Sequence, residues 1–318
     1  MDSTPLVFFL MGPTATGKTQ LAVEIADRFP IDVISVDSGQ VYQGMDIGTA
    51  KPTCEILDRV PHKLINICSP WERYSAGQFR RDAIAEIEKS IEIGRIPFLV
   101  GGTSFYFRAL EFGLSDLPKR SDEISRQLLA EADEKGWAHL HQKLMEFDPE
   151  SGCEVQLNDS QRILRLLEVY LASGVRPSEM KQANRAEPLP YPIVKMAITR
   201  SDREVQNQKI SQRFFQMLDD GFLIEAQRLY RSDQFNRSLP SMRCVGYQQM
   251  WQYLSGEYSY EQMAEAAISE TCGIAKRQLT WIRNQSGVTW LNCDDDNRSS
   301  RILKFIAAVL KTRTNDCN

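Results

Sequence analysis

Short apolar runs alternate with helix-like stretches along the first part of the chain. Residues 6–11, 32–36 and 97–100 are apolar runs of strand length, and residues 75–93 repeat apolar side chains at helical spacing. Strands that alternate with helices in this way form a parallel sheet with helices on both faces. The pattern therefore predicts an α/β fold.

The middle of the chain lacks strand signals. From residue 119 to residue 187 the apolar side chains follow helical spacing only. A proline-rich connector then leads into two further apolar runs, 193–198 and 288–291. We expect a core made of residues 1–118 and 191–318, which includes C-terminal helices, and a helical insertion domain of residues 119–190.

The first apolar run ends in a glycine-rich loop that contains a lysine, and a helix-like stretch follows it. The loop consists of Gly12, Pro13, Thr14, Ala15, Thr16, Gly17, Lys18 and Thr19. In this setting backbone N–H groups close around phosphate oxygens, Lys18 adds a positive charge and Thr19 can hold Mg²⁺. The loop predicts a phosphate site in a P-loop NTPase-like sheet core, but it does not identify the phosphate.

Polar groups follow the next two apolar runs. Asp37 follows residues 32–36, and Gly101, Gly102 and Thr103 follow residues 97–100. Asp37 at the carboxyl edge of a sheet suits a Mg²⁺ ligand, a general base or the cap of a turn. P-loop proteins that hydrolyse nucleotides usually carry a metal-holding Asp after such a strand. The glycine pair and Thr103 therefore argue against a motor or switch NTPase.

Composition excludes several other classes of protein. The chain has 318 residues, 42% of them hydrophobic, and no apolar stretch of the ~20 residues that a membrane helix needs. We expect a cytoplasmic protein without membrane contact. Seven cysteines without a Cys-x-x-Cys pair, and only three histidines, argue against a zinc site, a disulfide framework and a histidine-based triad.

The charge of the chain gives no global sign of a nucleic-acid-binding protein. The net charge is −4, so an RNA partner would have to bind a local basic patch. One candidate places Lys276, Arg277 and Arg283 around Trp281 without any acidic residue between them. Such a segment suits contacts to RNA phosphates and bases. It equally suits a solvated helix face with a core tryptophan, and the residues alone leave this choice open.

The motifs together resemble the bacterial tRNA dimethylallyltransferases, also called tRNA isopentenyltransferases or the IPP transferase family. The resemblance spans nearly the full length, and its matching stretches are residues 12–19, 37–38, 41–52, 101–103, 158–162, 213–218, 242–247 and 276–281. It implies transfer of a dimethylallyl group from dimethylallyl diphosphate to N6 of the adenosine 3′-adjacent to the anticodon in tRNA, with release of diphosphate.

The resemblance also implies roles for individual residues. Asp37 matches the general base of the family, and Lys18 and Thr103 match further catalytic residues. Arg213 joins residues 12–19 in binding the diphosphate, and Thr19 is the protein ligand of Mg²⁺. The implied partners are dimethylallyl diphosphate and the anticodon stem-loop of tRNA, and the expected enzyme is a monomer.

The residues that the resemblance assigns to tRNA contact lie in several segments. They are Asp37, Ser38, Gly39, Gln40, Thr103, Ser125, Gln161, Arg162, Ile163, Leu164, Arg165, Arg243, Cys244, Val245, Gly246, Tyr247, Gln248, Lys276, Arg277, Gln278, Leu279, Thr280, Trp281, Ile282 and Arg283.

Some positions depart from the family pattern. Gly39 stands where many relatives have Arg, and Gln156 stands where many relatives have His. One Arg of the family pattern is shifted by one position, so either Ser125 or Arg126 makes the corresponding RNA contact. Two other functions remain. A small-molecule or nucleotide kinase shares the loop and could use Asp37 as its base. A non-catalytic RNA-binding regulator is disfavoured, because Gly17, Lys18 and Asp37 are all intact.

Overall fold

The computed structural model describes residues 4–115, 117–183 and 187–315. Contacts divide the chain into two compact units. One unit comprises Met1–Glu111 and Leu189–Asn318, and the other comprises Phe112–Pro188. The first is called the sheet unit below, and the second the helical unit.

The sheet unit is built on a parallel sheet. Its strands are β1 (Val7–Met11), β2 (Ile31–Val36), β3 (His62–Lys63), β4 (Ile96–Gly101), β5 (Ile193–Thr199) and β6 (Val288–Asn292). Their order across the sheet is β3-β2-β4-β1-β5-β6, and every pairing is parallel. The predicted α/β, P-loop NTPase-like sheet core is confirmed. β3 was not predicted, because two residues leave no hydrophobic pattern.

Helices connect the strands and form the second unit. In chain order they are α1 (Lys18–Ala26), α2 (Cys54–Arg59), α3 (Ala76–Glu92), α4 (Ser104–Phe112), α5 (Asp122–Lys135), α6 (Trp137–Phe147), α7 (Pro149–Glu154), α8 (Ser160–Ser173), α9 (Pro177–Ala183), α10 (Arg203–Asp219), α11 (Phe222–Tyr230), α12 (Tyr247–Leu254), α13 (Tyr260–Arg283) and α14 (Arg298–Asn315). A short 3-10 helix spans Ser241–Arg243.

β1 shows why the apolar runs form a central sheet. Alternate side chains of a strand face opposite sides. Phe8 and Leu10 pack on one face among side chains of α1 and α14, whereas Val7, Phe9 and Met11 pack on the other among side chains of α3 and α4. All five are buried, so the strand is covered on both faces, and the loops that precede and follow it lie at the two ends of the strand.

The helical unit has a core of its own. Leu128, Leu140, Leu144, Ile163 and Leu167 from α5, α6 and α8 form its centre. This burial follows the helical spacing of the apolar residues and gives the unit its own hydrophobic cluster.

Candidate active site

Three loops meet at the carboxyl edge of the sheet, where ligands of such sheets bind. They follow β1, β2 and β4, and they border two cavities of about 410 and 380 Å³. The residues that line both cavities are Thr14, Lys18, Asp37, Thr49 and Arg213. The two cavities therefore adjoin, with both cations and the carboxylate of this group at their junction.

Residues 14–19 line the smaller cavity. Gly17 has a φ of 81°, a left-handed conformation that glycine adopts at little cost, and α1 begins at the next residue. No side chain caps α1, so its first N–H groups are able to donate to an anionic ligand. The Thr16 hydroxyl and the Lys18 ammonium both donate to the Pro13 carbonyl, at 2.9 and 2.7 Å. These bonds restrain the conformation of the loop.

Two cations and one carboxylate interact at the junction. Burial and, to a smaller extent, the positive charge of Arg213 lower the pKa of Lys18 to about 8, and the charge of Asp37 opposes both. Burial also lowers the pKa of Arg213, and Asp37 again opposes the shift. Both lysine and arginine are therefore destabilised as cations in this pocket, and an anionic ligand would relieve that cost.

Asp37 closes a turn and faces the cavities at the same time. Its Oδ1 accepts the N–H groups of Gly39 and Gln40, at 2.8 and 3.2 Å. Within the described residues these are its hydrogen bonds, which leaves Oδ2 to accept a proton. Thr103 is tied to the same turn, because its Oγ1 accepts the N–H of Ser38 at 3.0 Å. The structure thus brings the predicted catalytic residues Lys18, Asp37 and Thr103 to one cavity.

The larger cavity has a wall that the sequence analysis missed. It consists of Tyr42, Tyr74, Tyr106, Ile210, Phe214, Met217 and Ile274, together with the predicted residues Cys244 and Val245. Burial and the charge of Asp37 raise the pKa of the Cys244 thiol to about 12, so the thiol is neutral. The wall is therefore apolar and uncharged beside a phosphate-type loop.

A buried carboxylate positions the loop that contributes Thr49. Glu225 of α11 accepts the N–H groups of Asp46, Ile47 and Gly48, at 2.8, 2.8 and 3.1 Å. It also accepts the hydroxyl of Tyr247, the first residue of α12. The buried negative charge is thus fully hydrogen-bonded, and it fixes the loop against α11 and α12.

Comparison with known proteins gives consistent results. The sequence profile described as IPP transferase matches residues 40–285, and one described as isopentenyl transferase matches residues 5–65. A protein named tRNA dimethylallyltransferase from Coxiella burnetii is 45% identical over 310 residues, which cover 97% of this chain and 99% of that relative. The chain belongs to the IPP transferase family.

Solved structures support the same membership. The tRNA isopentenylpyrophosphate transferase of Bacillus halodurans is 36% identical, with a TM-score of 0.71 over 98% of this chain and 99% of that one. A eukaryotic dimethylallyltransferase described as acting on tRNA is 26% identical, with a TM-score of 0.78 over 98% of this chain and 80% of that one. The resemblance inferred from the motifs is confirmed.

Residues expected to contact RNA occupy two kinds of position in this IPP transferase. Arg243, Cys244, Val245, Gly246 and Gln278 line the larger cavity, with Asp37, Ser38, Gly39 and Thr103. Gln40 lines the smaller one. By contrast, Gln248, Lys276, Arg277, Thr280 and Arg283 are exposed at the surface. Tyr247 and Ile282 are buried, Leu279 is half-buried, and Trp281 stacks on Phe107 with ring centroids 6.4 Å apart.

In the helical unit, the residues expected to contact RNA also include both exposed and buried positions. Gln161 and Arg162 are exposed, whereas Ile163 and Leu164 are buried in the core of the unit. Ser125 donates to the buried carboxylate of Glu168, and Arg165 forms an ion pair with it at 3.6 Å. Ser125 and Arg165 therefore have a buried structural partner, while Gln161 and Arg162 face solvent and Arg162 pairs with the partly exposed Asp159 at 3.3 Å.

The oxygen ligands at the smaller cavity suit a hard cation that keeps most of its own waters. Thr19 and Asp37 place a hydroxyl and a carboxylate on the smaller cavity. Across the residues that the structure describes, no group of three or more His, Cys, Asp or Glu is placed to hold a metal. One or two protein oxygens beside a phosphate loop fit Mg²⁺ better than Zn²⁺. A search of the same residues finds no helix able to cross a membrane.

Proposed function

We propose that this chain transfers the dimethylallyl group of dimethylallyl diphosphate to N6 of the adenosine 3′-adjacent to the anticodon of a tRNA. The junction of the two cavities supports this function most strongly. A phosphate loop with two cations adjoins an apolar wall, and Asp37 lies where the two meet. A substrate that joins a diphosphate to a short apolar group suits both halves at once.

The reaction is a displacement at an allylic carbon. The N6 lone pair attacks C1 of the dimethylallyl group, the C1–O bond breaks, and diphosphate leaves with the electron pair. Lys18, Arg213 and the N–H groups of the loop stabilise the negative charge that develops on the leaving oxygens. Asp37 takes the proton from N6 through Oδ2, since Oδ1 is held by the turn.

The phosphate loop also offers a ligand for a divalent cation. Thr19 is the residue that would hold Mg²⁺, and the ion when bound supplies further charge neutralisation on the diphosphate. Thr103 orients the reacting groups beside Asp37, to whose turn it is hydrogen-bonded. The reaction transfers carbon to nitrogen and uses no hydrolytic water, which agrees with the glycine pair and Thr103 in place of a second carboxylate after β4.

The tRNA partner follows from relatives that carry tRNA in their names. The target base leaves its stack to reach Asp37, which costs a few kcal/mol that contacts to flanking nucleotides must offset. Arg243 at the cavity and the exposed cations of α13 are the residues we assign to those contacts in the sheet unit, with Gln161 and Arg162 in the helical unit. We expect the protein to be cytoplasmic and monomeric, and light scattering of the purified protein would check the monomeric state.

A ligand competition separates this function from the kinase that shares the loop. In calorimetric titrations with Mg²⁺, dimethylallyl diphosphate should bind more tightly than ATP, because its short apolar group fits the apolar cavity wall beside the loop. A kinase would show the opposite order and would transfer phosphate from ATP. Tight ATP binding with phosphoryl transfer, and no isopentenylated product from tRNA, would contradict the proposal.

A further inference from the structure

Side chains of two helices hold the phosphate loop at Thr14. Its N–H donates to Gln278 Oε1 at 3.0 Å, and its carbonyl accepts Gln206 Nε2 at 2.7 Å. The Arg213 guanidinium contacts its hydroxyl. Every polar group of Thr14 is therefore engaged by α10 or α13, so these helices determine where this part of the loop lies.

Gln278 alone among these residues also reaches a second loop of the active site. Its Nε2 donates to the Gly102 carbonyl at 2.8 Å. A Cβ at Gly102 would lie only 2.5 Å from that nitrogen, so the carboxamide packs directly on the glycine. The next residue, Thr103, is bonded to the turn of Asp37. One side chain thus joins the loop after β1 to the loop after β4.

The direction of Gln278 differs from that of its cationic neighbours. Thr271, Ile274 and Gln278 recur at helical spacing and line the larger cavity. Lys276 and Arg283 are exposed, and about 100° of rotation per residue places both on the opposite side of α13. The basic segment of residues 276–283 therefore contains one side chain, Gln278, that faces the phosphate loop of residues 12–19.

We infer that Gln278 is a positioning residue for the diphosphate, and that its contribution is to substrate binding at the phosphate loop and not to contact with tRNA. This rests on the function proposed above. Donors at a loop stabilise an anion most when they are held in place before it binds. The two hydrogen bonds of Gln278 supply that restraint between the two loops that border the cavity.

Two variants test the assignment, and a third serves as their control. Gln278→Met keeps the length of the side chain and removes both hydrogen bonds. Gln278→Glu keeps an acceptor for the Thr14 N–H, loses the donor to Gly102 and adds a negative charge. Gln285→Met is the matched control, because Gln285 donates locally to the Trp281 carbonyl at 3.4 Å and to neither loop.

Pyrophosphate with Mg²⁺ and unmodified tRNA are the probes, each titrated separately. Two lost hydrogen bonds should weaken pyrophosphate binding of Gln278→Met roughly tenfold. The loss in Gln278→Glu should be larger, and its excess should shrink as salt is raised. Affinity for tRNA should stay within about twofold for both variants. In turnover, KM for dimethylallyl diphosphate should rise while KM for tRNA does not, and Gln285→Met should match wild type.

The outcomes separate this inference from the proposed function. Weakened tRNA binding with unchanged pyrophosphate binding would overturn the inference and make Gln278 an RNA contact. Wild-type protein that binds no pyrophosphate would overturn the proposed function and the inference with it. Thermal unfolding is recorded for each variant. If Gln278→Met fails to fold, Gln278→Glu carries the same test, since its salt-dependent loss of pyrophosphate affinity does not arise from a general loss of structure.

Discussion

The inner and outer faces of α13 differ in how their polar groups are held. On the inner face, Gln278 makes two hydrogen bonds to residues far away in the sequence and lies against the cavity. On the outer face, Lys276, Arg277 and Arg283 are exposed, and Arg277 pairs with Glu270 on the same helix, at 2.8 Å. Exposed pairs of this kind contribute little to stability and exchange readily for another anion.

This difference predicts two kinds of response to substitution. Groups at the junction are held by contacts from several elements, so each change should have a large effect on one step or one ligand. Groups on the outer face act as separate charges, so their effects should be smaller, additive and sensitive to salt.

The largest expected effect is that of Asp37→Asn. The amide keeps an oxygen for the N–H groups of Gly39 and Gln40 but cannot take the proton from N6. We expect kcat to fall by ~10²–10⁴-fold with little change in tRNA affinity, because a general base acts mainly in the transition state. Asp32→Asn, near the other end of β2, is the matched control and should turn over normally. Near-normal turnover by Asp37→Asn would remove Asp37 from the role of base.

Lys18→Ala and Arg213→Ala should have the next largest effects. Hydrogen bonds to charged groups contribute ~1.5–3 kcal/mol, so each variant should bind pyrophosphate roughly 10–100-fold more weakly. Binding of tRNA alone should change little in calorimetric or filter-binding titrations. Lys89→Ala, which removes a surface cation paired with Glu86 on α3, is the control. Unchanged pyrophosphate binding by Arg213→Ala would show that Arg213 has no part in the diphosphate site.

The outer face of α13 is tested by replacing Lys276, Arg277 and Arg283 together with Ala. The triple variant should bind tRNA more weakly, and the slope of log affinity against log salt should flatten by roughly two to three units if all three contact phosphates. Pyrophosphate binding should not change. An unchanged salt slope would mean that this face is simply solvated, and Arg162 of the helical unit would become the leading candidate for RNA contact.

The smallest effect concerns pH and separates Lys18 from Arg213. With a lowered pKa of about 8, Lys18 is protonated below that pH and loses its charge as pH rises through it. Diphosphate affinity should therefore be full below pH 8 and fall above it. Arg213 stays charged over this range. Lys18→Ala should remove this component of the pH dependence, and a wild-type profile identical in shape to that of Lys18→Ala would contradict the assignment.

The polar half of the site could be predicted from the sequence, and the apolar half could not. The loop at residues 12–19 and Asp37 are adjacent to strands that their own apolar runs reveal. The apolar wall combines residues as distant as Tyr42 and Ile274, and no local pattern joins them. The choice between kinase and transferase depended on the wall and on family membership, since the loop alone indicates only phosphate.

The outer surface was harder to predict for a related reason. A basic segment shows that positive charge is present but not which of its side chains face solvent. In α13, Gln278 faces the cavity and Trp281 packs on Phe107. In α8, Ile163 is buried in the core of the helical unit. Helical periodicity would have separated these faces, because Gln278 follows Thr271 by about two turns and Ile274 by about one turn.

The measurement that tests the central claim most directly is product formation on a defined tRNA. Wild-type protein is incubated with Mg²⁺, dimethylallyl diphosphate and either a tRNA with adenosine immediately 3′ of its anticodon or the same tRNA with guanosine there. Nucleosides are then analysed by mass. We expect one C5H8 unit on adenosine in the first tRNA, equal release of pyrophosphate, and neither product from the second. Absence of the modified adenosine across tRNAs that carry the target, with wild-type protein that binds pyrophosphate, would contradict the account.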